Sequence, residues 1–216
     1  AFVKALKKQG KTVGMTGDGV NDVLALRDAD CSVAMASGSE AASNASMLVL
    51  MDSDFSKMPS VVSEGRRVVN NIQKAASLYL TKNIFSLLLA VFSVINVLKY
   101  PLKPSQITLI SMFTIGVPSF ILSLEPNFDR IKGRFLSNVF KMALPAGITM
   151  FISVSSLVVF GQVFNITAEC ISTSSTMLVA LVGFLYLGKV AQPINRLHLG
   201  MMAILIAGMA YSVMFM

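Results

Sequence analysis

The distribution of hydrophobic residues changes character along the chain. Up to about residue 55, short apolar runs alternate with stretches whose apolar residues recur at helical spacing. Such an alternation of strands and helices predicts an α/β unit with a parallel sheet. Beyond residue 74, apolar stretches of about 20 residues follow one another, which is the length that a helix needs to cross a bilayer. The pattern therefore predicts a small α/β unit followed by a bundle of membrane helices.

The α/β unit, residues 1–55, is predicted to alternate helices and strands. We place strands at 12–16, 31–35 and 47–51, and helices at 1–9, 20–29 and 39–46. Gly10 ends the first helix, and the glycines at 17 and 19 separate the first strand from the second helix. Residues 56–74 are polar with helical spacing, and no breaker divides them from the apolar part that follows. We expect a stalk helix there that continues into the membrane.

Residues 75–216 are predicted to form an all-α transmembrane domain. We place its five spans at roughly 75–98, 105–124, 139–164, 171–190 and 197–216. The loops after the second and fourth spans hold most of the loop cations, among them Arg130, Lys132, Arg134 and Arg196. Because cytoplasmic loops are enriched in Lys and Arg, we expect these loops and the head of residues 1–74 on the cytoplasmic side. The chain is thus predicted to be an integral membrane protein, in contact with lipid and placed in the cell membrane.

Composition and charge agree with this division. Hydrophobic residues make up 54% of the 216 residues and charged residues 13%, with a net charge of +7. Residues 75–216 carry 9 Lys/Arg and 3 Asp/Glu, so most of the excess positive charge lies between apolar spans, where it argues against nucleic acid as a partner. Cys31 and Cys170 are far apart and predict neither a disulfide framework nor a metal site. Since the chain begins with Ala1 inside a predicted helix, we expect it to be a fragment of a longer protein.

The sharpest local pattern is Thr16-Gly17-Asp18-Gly19-Val20-Asn21-Asp22, which follows a predicted strand and opens a predicted helix. The carboxyl ends of parallel strands are where open α/β sheets place their ligands. Asp18 and Asp22 can face one point there, and paired carboxylates suit Mg²⁺. The alternative is an ordinary turn with acidic residues at a helix N-terminus. The two acids and two glycines by themselves leave both interpretations open.

This motif resembles the hinge motif of P-type ATPases, whose phosphorylation domain has a haloacid-dehalogenase-like (Rossmann-like) fold. The similarity continues along the chain at Ala25-Leu26, Ala29-Asp30, Val33-Ala34-Met35, Leu48-Val49-Leu50, Asp52, Asp54, Phe55, Glu64-Gly65-Arg66 and Asn71-Ile72. The resemblance implies that residues 1–55 are the C-terminal part of a phosphorylation domain. It also implies that the whole protein couples the formation and hydrolysis of an aspartyl phosphate to cation transport.

The resemblance assigns roles to residues of the motif. Asp18 and Asp22 correspond to acids that bind Mg²⁺, and Asn21 to a residue that holds the phosphoryl group. Thr16, Gly17 and Gly19 then supply the backbone of the phosphate site, with ATP as substrate. No Asp-Lys-Thr-Gly sequence is present, so the phosphorylated Asp lies outside this chain. The partners implied are the remainder of the same protein, with its actuator and nucleotide-binding domains and first membrane helices, and the transported cation. The fragment alone is expected to be inactive.

In such pumps the transport site lies near mid-membrane on the first two of these spans. The resemblance points there to Lys82, Asn83, Ser86, Ser111, Thr114, Ile115 and Pro118. Pro118 after Gly116 is similar to the segment of the family in which the helix is unwound and backbone carbonyls bind ions. The side chains depart from the calcium-pump pattern, because Ser86 and Ile115 stand where it has acids and Ser111 stands where it has Asn.

Lys82 is an unusual residue for the interior of a span. An intramembrane cation is costly and commonly functional, so Lys82 is a candidate counter-ion for an empty transport site. The other interpretation is that Lys82 lies near the membrane surface and extends its ammonium into the headgroup region. Glu125 is expected to be a helix-end residue rather than an ion ligand, and His198 is expected at the membrane interface.

Two other functions stay open on the sequence. The non-acidic transport region is compatible with a lipid or polyamine translocase of the same superfamily. A vestigial, non-pumping membrane protein is the second alternative, which the intact set Asp18, Asn21 and Asp22 disfavours. The substrate that stimulates dephosphorylation would distinguish a lipid or polyamine translocase from a cation pump. Absence of an Asp-Lys-Thr-Gly sequence upstream would favour the vestigial protein.

Overall fold

A small parallel sheet forms near the beginning of the chain. In the computed structural model, which describes residues 2–214, its strands are β1 (Gly14–Gly17), β2 (Cys31–Met35) and β3 (Leu48–Leu50). The order is β1-β2-β3, and both pairings are parallel. Residue Gly14 is opposite Cys31, and Val33 is opposite Leu48. The predicted parallel sheet is confirmed: β2 has the predicted ends, and the ends of β1 and β3 are shifted by one or two residues.

Three short helices accompany the sheet. They are α1 (Phe2–Lys8), α2 (Val23–Asp28), which a 3-10 turn at Val20–Asp22 precedes, and α3 (Glu40–Ala45). The Ser39 hydroxyl caps α3 by accepting a hydrogen bond from the amide of Ala42 at 3.2 Å. Leu26, Ala34 and Ala42 form a buried cluster between the helices and the sheet.

Asp30 ties the first helix to the beginning of the sheet. Its carboxylate accepts a hydrogen bond from the Val13 amide at 2.9 Å and pairs with the Lys7 ammonium at 2.8 Å. The Lys7 ammonium and, to a smaller extent, the Val13 amide hold the pKa of the Asp30 carboxyl below its usual range. The ionised carboxylate therefore joins α1 to the segment that enters β1.

The chain forms two compact units, Ala1–Val62 and Ser63–Met216. Helix α4 (Met58–Ile95) begins in the first unit and continues in the second, after a 3-10 turn at Phe55–Lys57. The second unit further contains α5 (Pro104–Ser111), α6 (Val117–Ser123), α7 (Phe135–Val163), α8 (Ala168–Val190) and α9 (Arg196–Met214). Within the described residues, five helical segments are long and apolar enough to cross a membrane. The protein is an integral membrane protein.

The second span is a composite helix. A π-helical turn, Met112–Gly116, joins α5 to α6 without a break, and the Val117 amide donates to the carbonyl of Met112. The expectation of unwound backbone at this position is therefore wrong. Pro118 supplies no N–H, so the carbonyls of Phe113 and Thr114 cannot receive a backbone hydrogen bond from position 118. A wider turn accommodates this loss and keeps the helix continuous.

Helix α8 is the central helix of the second unit. In its most apolar stretch 50% of the residues are buried, against 22–39% in the other four spans. Its polar residue Ser172 donates to the side-chain oxygen of Gln106 at 2.7 Å, and both side chains are buried. Hydrogen bonds of this kind hold membrane helices together where apolar packing alone does not select a partner.

Candidate functional site

The acidic motif forms a tight loop at the carboxyl end of β1. Asp18 is the first residue after the strand, and Asp22 closes the 3-10 turn that follows. One oxygen of Asp22 accepts a hydrogen bond from the Gly19 amide at 3.3 Å, which folds this side chain back against the loop. The second carboxylate of the motif is thereby oriented by the loop's own backbone.

Backbone contacts hold Asp18 in place while its side chain stays free. The Asp18 carbonyl accepts a hydrogen bond from the Ser39 amide at 2.7 Å, which joins the loop to the start of α3. Gly38 is packed so closely that a Cβ there would overlap with the Asp18 carbonyl oxygen. The Asp18 side chain is exposed and has no hydrogen bond or ion pair with any residue between 2 and 214. Its carboxylate is available to a ligand from solution.

The donor set of this loop fits a hard cation. The exposed Asp18 carboxylate and the second oxygen of Asp22 offer the oxygen ligands that Mg²⁺ prefers. Thr16 and Asn21 have exposed side chains at the same edge of the sheet, next to the half-buried backbone of Gly17 and Gly19. Groups of three or more His, Cys, Asp or Glu side chains that could hold a metal ion are absent from the described part of the chain.

A small cavity lies between the membrane helices of the second unit. Its volume is about 30 Å³, which is enough for a water-sized occupant. The cavity brings together five of the residues predicted for the transport site, namely Lys82, Ser86, Ser111, Thr114 and Ile115. Asn83 is exposed and Pro118 is buried, and neither of them lines the cavity.

Hydroxyl groups are the main neutral polar groups that face this cavity. Ser111 donates to the carbonyl of Ile107 at 2.6 Å, and Thr114 donates to that of Ile110 at 2.7 Å. Since these protons are directed at helix carbonyls, each hydroxyl oxygen keeps its lone pairs as acceptors for an occupant of the cavity. The lining thus offers neutral oxygen ligands rather than carboxylates.

Lys82 is the charged residue of the cavity lining. Its side chain is half-buried, and no carboxylate pairs with it among residues 2–214. The three acids of residues 75–216 are Glu125, Asp129 and Glu169, and none of them lines the cavity. An ammonium without an acidic partner therefore stands beside the hydroxyl groups.

The loop between α4 and α5 covers part of the cavity, which sequence analysis did not anticipate. Leu102 is 4% exposed and lines the cavity. Burial raises the pKa of the Tyr100 phenol, and the neighbouring Ser86 side chain opposes this effect. The sequence indicated this cover only through Tyr100 and Leu102, which lie in a loop that also carries Lys99 and Lys103.

Known proteins resemble this chain over most or all of its length. The calcium-transporting ATPase CtpE of Mycobacterium bovis is 39% identical over 231 aligned residues, which cover 100% of this chain and 28% of that protein. The protein of the same name from Mycolicibacterium smegmatis is 47% identical over 160 residues, covering 69% of this chain and 20% of the relative. The probable cation-transporting ATPase exp7 of Streptococcus pneumoniae is 40% identical over 200 residues, covering 89% and 26%.

The chain belongs to the P-type ATPase superfamily. It spans about a quarter of the length of these relatives. It matches no protein-family profile. The expected family is confirmed by these relatives, since the similarity to the Mycobacterium bovis protein covers the whole chain, including the acidic motif and the membrane spans.

A third group of polar residues in this P-type ATPase chain joins three separate parts of the second unit. The Lys74 ammonium lies 3.1 Å from one oxygen of Glu125, and Nε2 of His198 lies 3.4 Å from the other. Lys74 belongs to α4, Glu125 follows α6, and His198 is in the first turn of α9. His198 is 4% exposed, so it is buried against protein, and its predicted position at the membrane interface stays a prediction. No local pattern connects residues so distant in sequence.

Proposed function

We propose that this chain is part of an ATP-driven cation pump that forms and hydrolyses an aspartyl phosphate. The observation that carries the proposal is the similarity of the entire chain to relatives named as calcium- or cation-transporting ATPases. The exposed Asp18 carboxylate and the hydroxyl-lined cavity would provide the two kinds of site that such a pump needs. A lipid or polyamine translocase is not favoured, because these relatives carry cation-transport names.

The first unit would act as part of a haloacid-dehalogenase-like phosphorylation domain. Asp18 and Asp22 would hold Mg²⁺, which neutralises phosphate charge during phosphoryl transfer. Asn21 would bind a phosphoryl oxygen through its amide, with the backbone of Thr16, Gly17 and Gly19 around it. Because no Asp-Lys-Thr-Gly sequence occurs in the 216 residues, the nucleophilic carboxylate and the ATP site would come from other parts of the protein.

The cavity of the second unit would be part of the cation pathway. The hydroxyl oxygens of Ser86, Ser111 and Thr114 would contribute neutral ligands, with Ca²⁺ as the first cargo to test because of the relatives' names. The Lys82 ammonium would balance the site when no cation is bound. Asn83 and Pro118 remain candidate transport residues at the edge of this region.

The placement of the protein in the cell is also part of the proposal. The cations Arg130, Lys132, Arg134 and Arg196 lie in the loops after α6 and α8. Since cytoplasmic loops are enriched in such residues, the head of residues 1–74 would face the cytoplasm, with the five spans in lipid of the cell membrane. The remaining partners would be the other domains and membrane helices of the same protein.

The experiment that tests this function uses the full-length protein in membrane vesicles. We expect ATP to label the protein with an acid-stable phosphate and Ca²⁺ to stimulate ATP hydrolysis and enter vesicles. Na⁺, K⁺, polyamines and phospholipids serve as competing candidates in the same assay. Stimulation by a polyamine or a phospholipid alone would replace the cation pump with a translocase of that substrate. A full-length protein that forms no phosphoenzyme would contradict the proposal.

The 216-residue chain by itself is expected to hydrolyse no ATP, because the nucleophile and nucleotide site lie outside it. Purified chain and full-length protein are compared with and without vanadate. Vanadate-sensitive hydrolysis by the chain alone would show that its own residues complete an active site.

A further inference from the structure

We propose that Lys74, Glu125 and His198 are positioning residues, which form a buried ionic clamp that makes α4, the loop after α6 and the start of α9 move together during transport. Only the expected effect of the clamp on transport rests on the proposed pump function. The clamp itself is a feature of the second unit that neither the family resemblance nor the relatives' names assign.

Burial makes the clamp hard to open. The side chains of Lys74, Glu125 and His198 are 11%, 15% and 5% exposed. Removing one partner from a buried charge pair leaves the other charge without compensation in a poorly solvated site, which is strongly destabilising. Separation of α4 from the loop would have the same consequence, so the two parts are held to move as one.

Helix-end effects do not explain the position of either Glu125 or His198. Glu125 lies two residues beyond the C-terminus of α6, where the helix dipole favours cations. His198 lies in the first turn of α9, where the dipole favours anions. Glu125 is thus at the unfavourable end of its helix for its charge, and its contacts with Lys74 and His198 compensate for this.

His198 has partners on both ring nitrogens. Nδ1 lies 3.3 Å from the Asn195 amide and 3.2 Å from the Pro193 carbonyl, while Nε2 faces Glu125. A neutral ring can accept from Asn195 and donate to Glu125, and a protonated ring can donate to Pro193 and Glu125. The ring therefore stays anchored in either protonation state and links the turn before α9 to Glu125.

Further hydrogen bonds hold the same loop to α4. The Asn71 amide donates to the carbonyls of Ser123 at 2.9 Å and Glu125 at 2.8 Å. The Asn70 amide donates to the carbonyl of Asp129 at 2.9 Å. The Lys74 ammonium additionally approaches the carbonyl of Gln192, at 3.5 Å, in the turn before α9. Glu125 is therefore fixed through its backbone and through its carboxylate.

The consequence concerns which parts of the membrane domain follow α4. Any displacement of α4 near residue 74 is transmitted to α6 through the loop and to α9 through His198. A chain of contacts between helices is evidence for a mechanism only when the energetic coupling between its residues is measured. We expect loss of the clamp to slow the conformational step of the cycle while substrate binding stays intact.

The test uses single variants of the full-length protein, Lys74→Met, Glu125→Gln and His198→Gln. We expect kcat for cation-stimulated ATP hydrolysis to fall at least about tenfold in the first two, given the penalty for an unpaired buried charge. KM for ATP and the half-saturating cation concentration should change less than about twofold, since no variant touches substrate. Lys74→Arg and the charge-reversed double variant Lys74→Glu/Glu125→Lys should recover part of the lost kcat.

Arg196→Gln is the matched control, because Arg196 is an exposed cation in the same first turn of α9. It should behave as the wild type. Unchanged kcat per folded molecule in Lys74→Met and Glu125→Gln would overturn the clamp, and so would a proportional change of kcat and KM without rescue by Lys74→Arg.

A double-variant cycle on thermal denaturation separates the clamp from the pump function. The midpoint shifts of Lys74→Met and Glu125→Gln should not add in the double variant, because both remove one interaction. Additive shifts would contradict the clamp even in an active pump. Absence of cation-stimulated hydrolysis in the wild type would overturn the proposed function, while non-additive shifts would still support the clamp.

Discussion

The Asp18 carboxylate has no hydrogen bond or ion pair among the described residues, unlike the carboxylates of Asp28, Asp30 and Asp54. Asp28 pairs with Lys4 at 3.3 Å, and Asp30 pairs with Lys7. Asp54 accepts two hydrogen bonds from Ser56, which hold the pKa of its carboxyl below the usual range. Open α/β sheets place their ligands at the carboxyl edge, so the exposed Asp18 carboxylate supports the proposed Mg²⁺ site.

Substitution Asp18→Asn should remove the proposed metal ligand without changing the loop. The Asp18 contacts to Ser39 and Gly38 are made by backbone atoms, so the fold should persist. We expect the Mg²⁺ concentration for half-maximal phosphorylation by ATP to rise at least about tenfold. Asp28→Asn, which removes only an exposed ion pair, is the control. Equal Mg²⁺ dependence in the two variants would exclude Asp18 as a ligand.

Substitution Lys82→Ala tests the charge in the membrane cavity. An ammonium beside a bound cation repels it, and near a partly solvated site such a repulsion is worth about 1–4 kcal/mol. The variant should therefore reach half-maximal ATP hydrolysis at a lower cation concentration than the wild type. Lys189→Ala, at the C-terminal end of α8, serves as the control. An unchanged cation dependence would favour a lysine that only reaches the membrane surface.

At the scale of elements, the π-helical turn of the second span is the most informative departure from regular structure. It places Ser111, Thr114 and Ile115 on the cavity side of one continuous helix. The Ser119 hydroxyl donates to the Gly116 carbonyl at 3.0 Å, which satisfies one carbonyl of the turn. Regular α-helical geometry through this segment would rotate the residues before it relative to those after it, and so change the lining.

Substitution Pro118→Ala restores an N–H to this turn and should favour regular α-helix. In a helix interior the residue change is worth up to about 3 kcal/mol of helix propensity. We expect a higher thermal midpoint and a lower kcat, because the cavity lining changes. Pro145→Ala, inside α7 and exposed, is the matched control and should leave kcat unchanged. A Pro118→Ala variant with the activity of the wild type would separate the π-turn from transport.

At the scale of the whole second unit, close approach of helices decides how the cavity is enclosed. Gly147 of α7 lies against α4, and a Cβ there would be 2.9 Å from Cγ2 of Ile84 and 3.1 Å from the Thr81 carbonyl. Thr81 also donates to the carbonyl of Ala143 at 3.4 Å. Small residues at membrane interfaces allow such contacts between helix backbones.

Substitution Gly147→Val should push α7 away from α4 and destabilise the protein by about 1–3 kcal/mol, the usual range for overpacking. A lower thermal midpoint of the full-length protein is the measurement. Gly200→Val makes the same change in α9 at a position with no atom within 4 Å of the added Cβ, and should stay within about 0.5 kcal/mol of the wild type. Equal midpoints in both variants would contradict the packing seen between α4 and α7.

Much of the fold followed from local patterns. The strand Cys31–Met35 has the predicted ends, and the helix Glu40–Ala45 is enclosed by the serines that the prediction placed at its ends. Five apolar segments were visible because each is long enough to satisfy its backbone as a helix in lipid. The first strand was predicted to begin two residues too early, because Thr12 and Val13 are β-branched residues typical of strands. Both of them lie outside the paired segment.

The sequence by itself determined the division into a small α/β unit and membrane helices, the parallel sheet, the acidic motif and the superfamily. The superfamily followed from the resemblance to known motifs, and the other features are encoded in the spacing between neighbouring residues. Tertiary structure decided that Asn83 lies outside the cavity, that Tyr100 reaches Ser86, and that Lys74 and His198 meet at Glu125. Such contacts depend on how helices rotate and pack about one another, and periodicity leaves that rotation and packing undetermined.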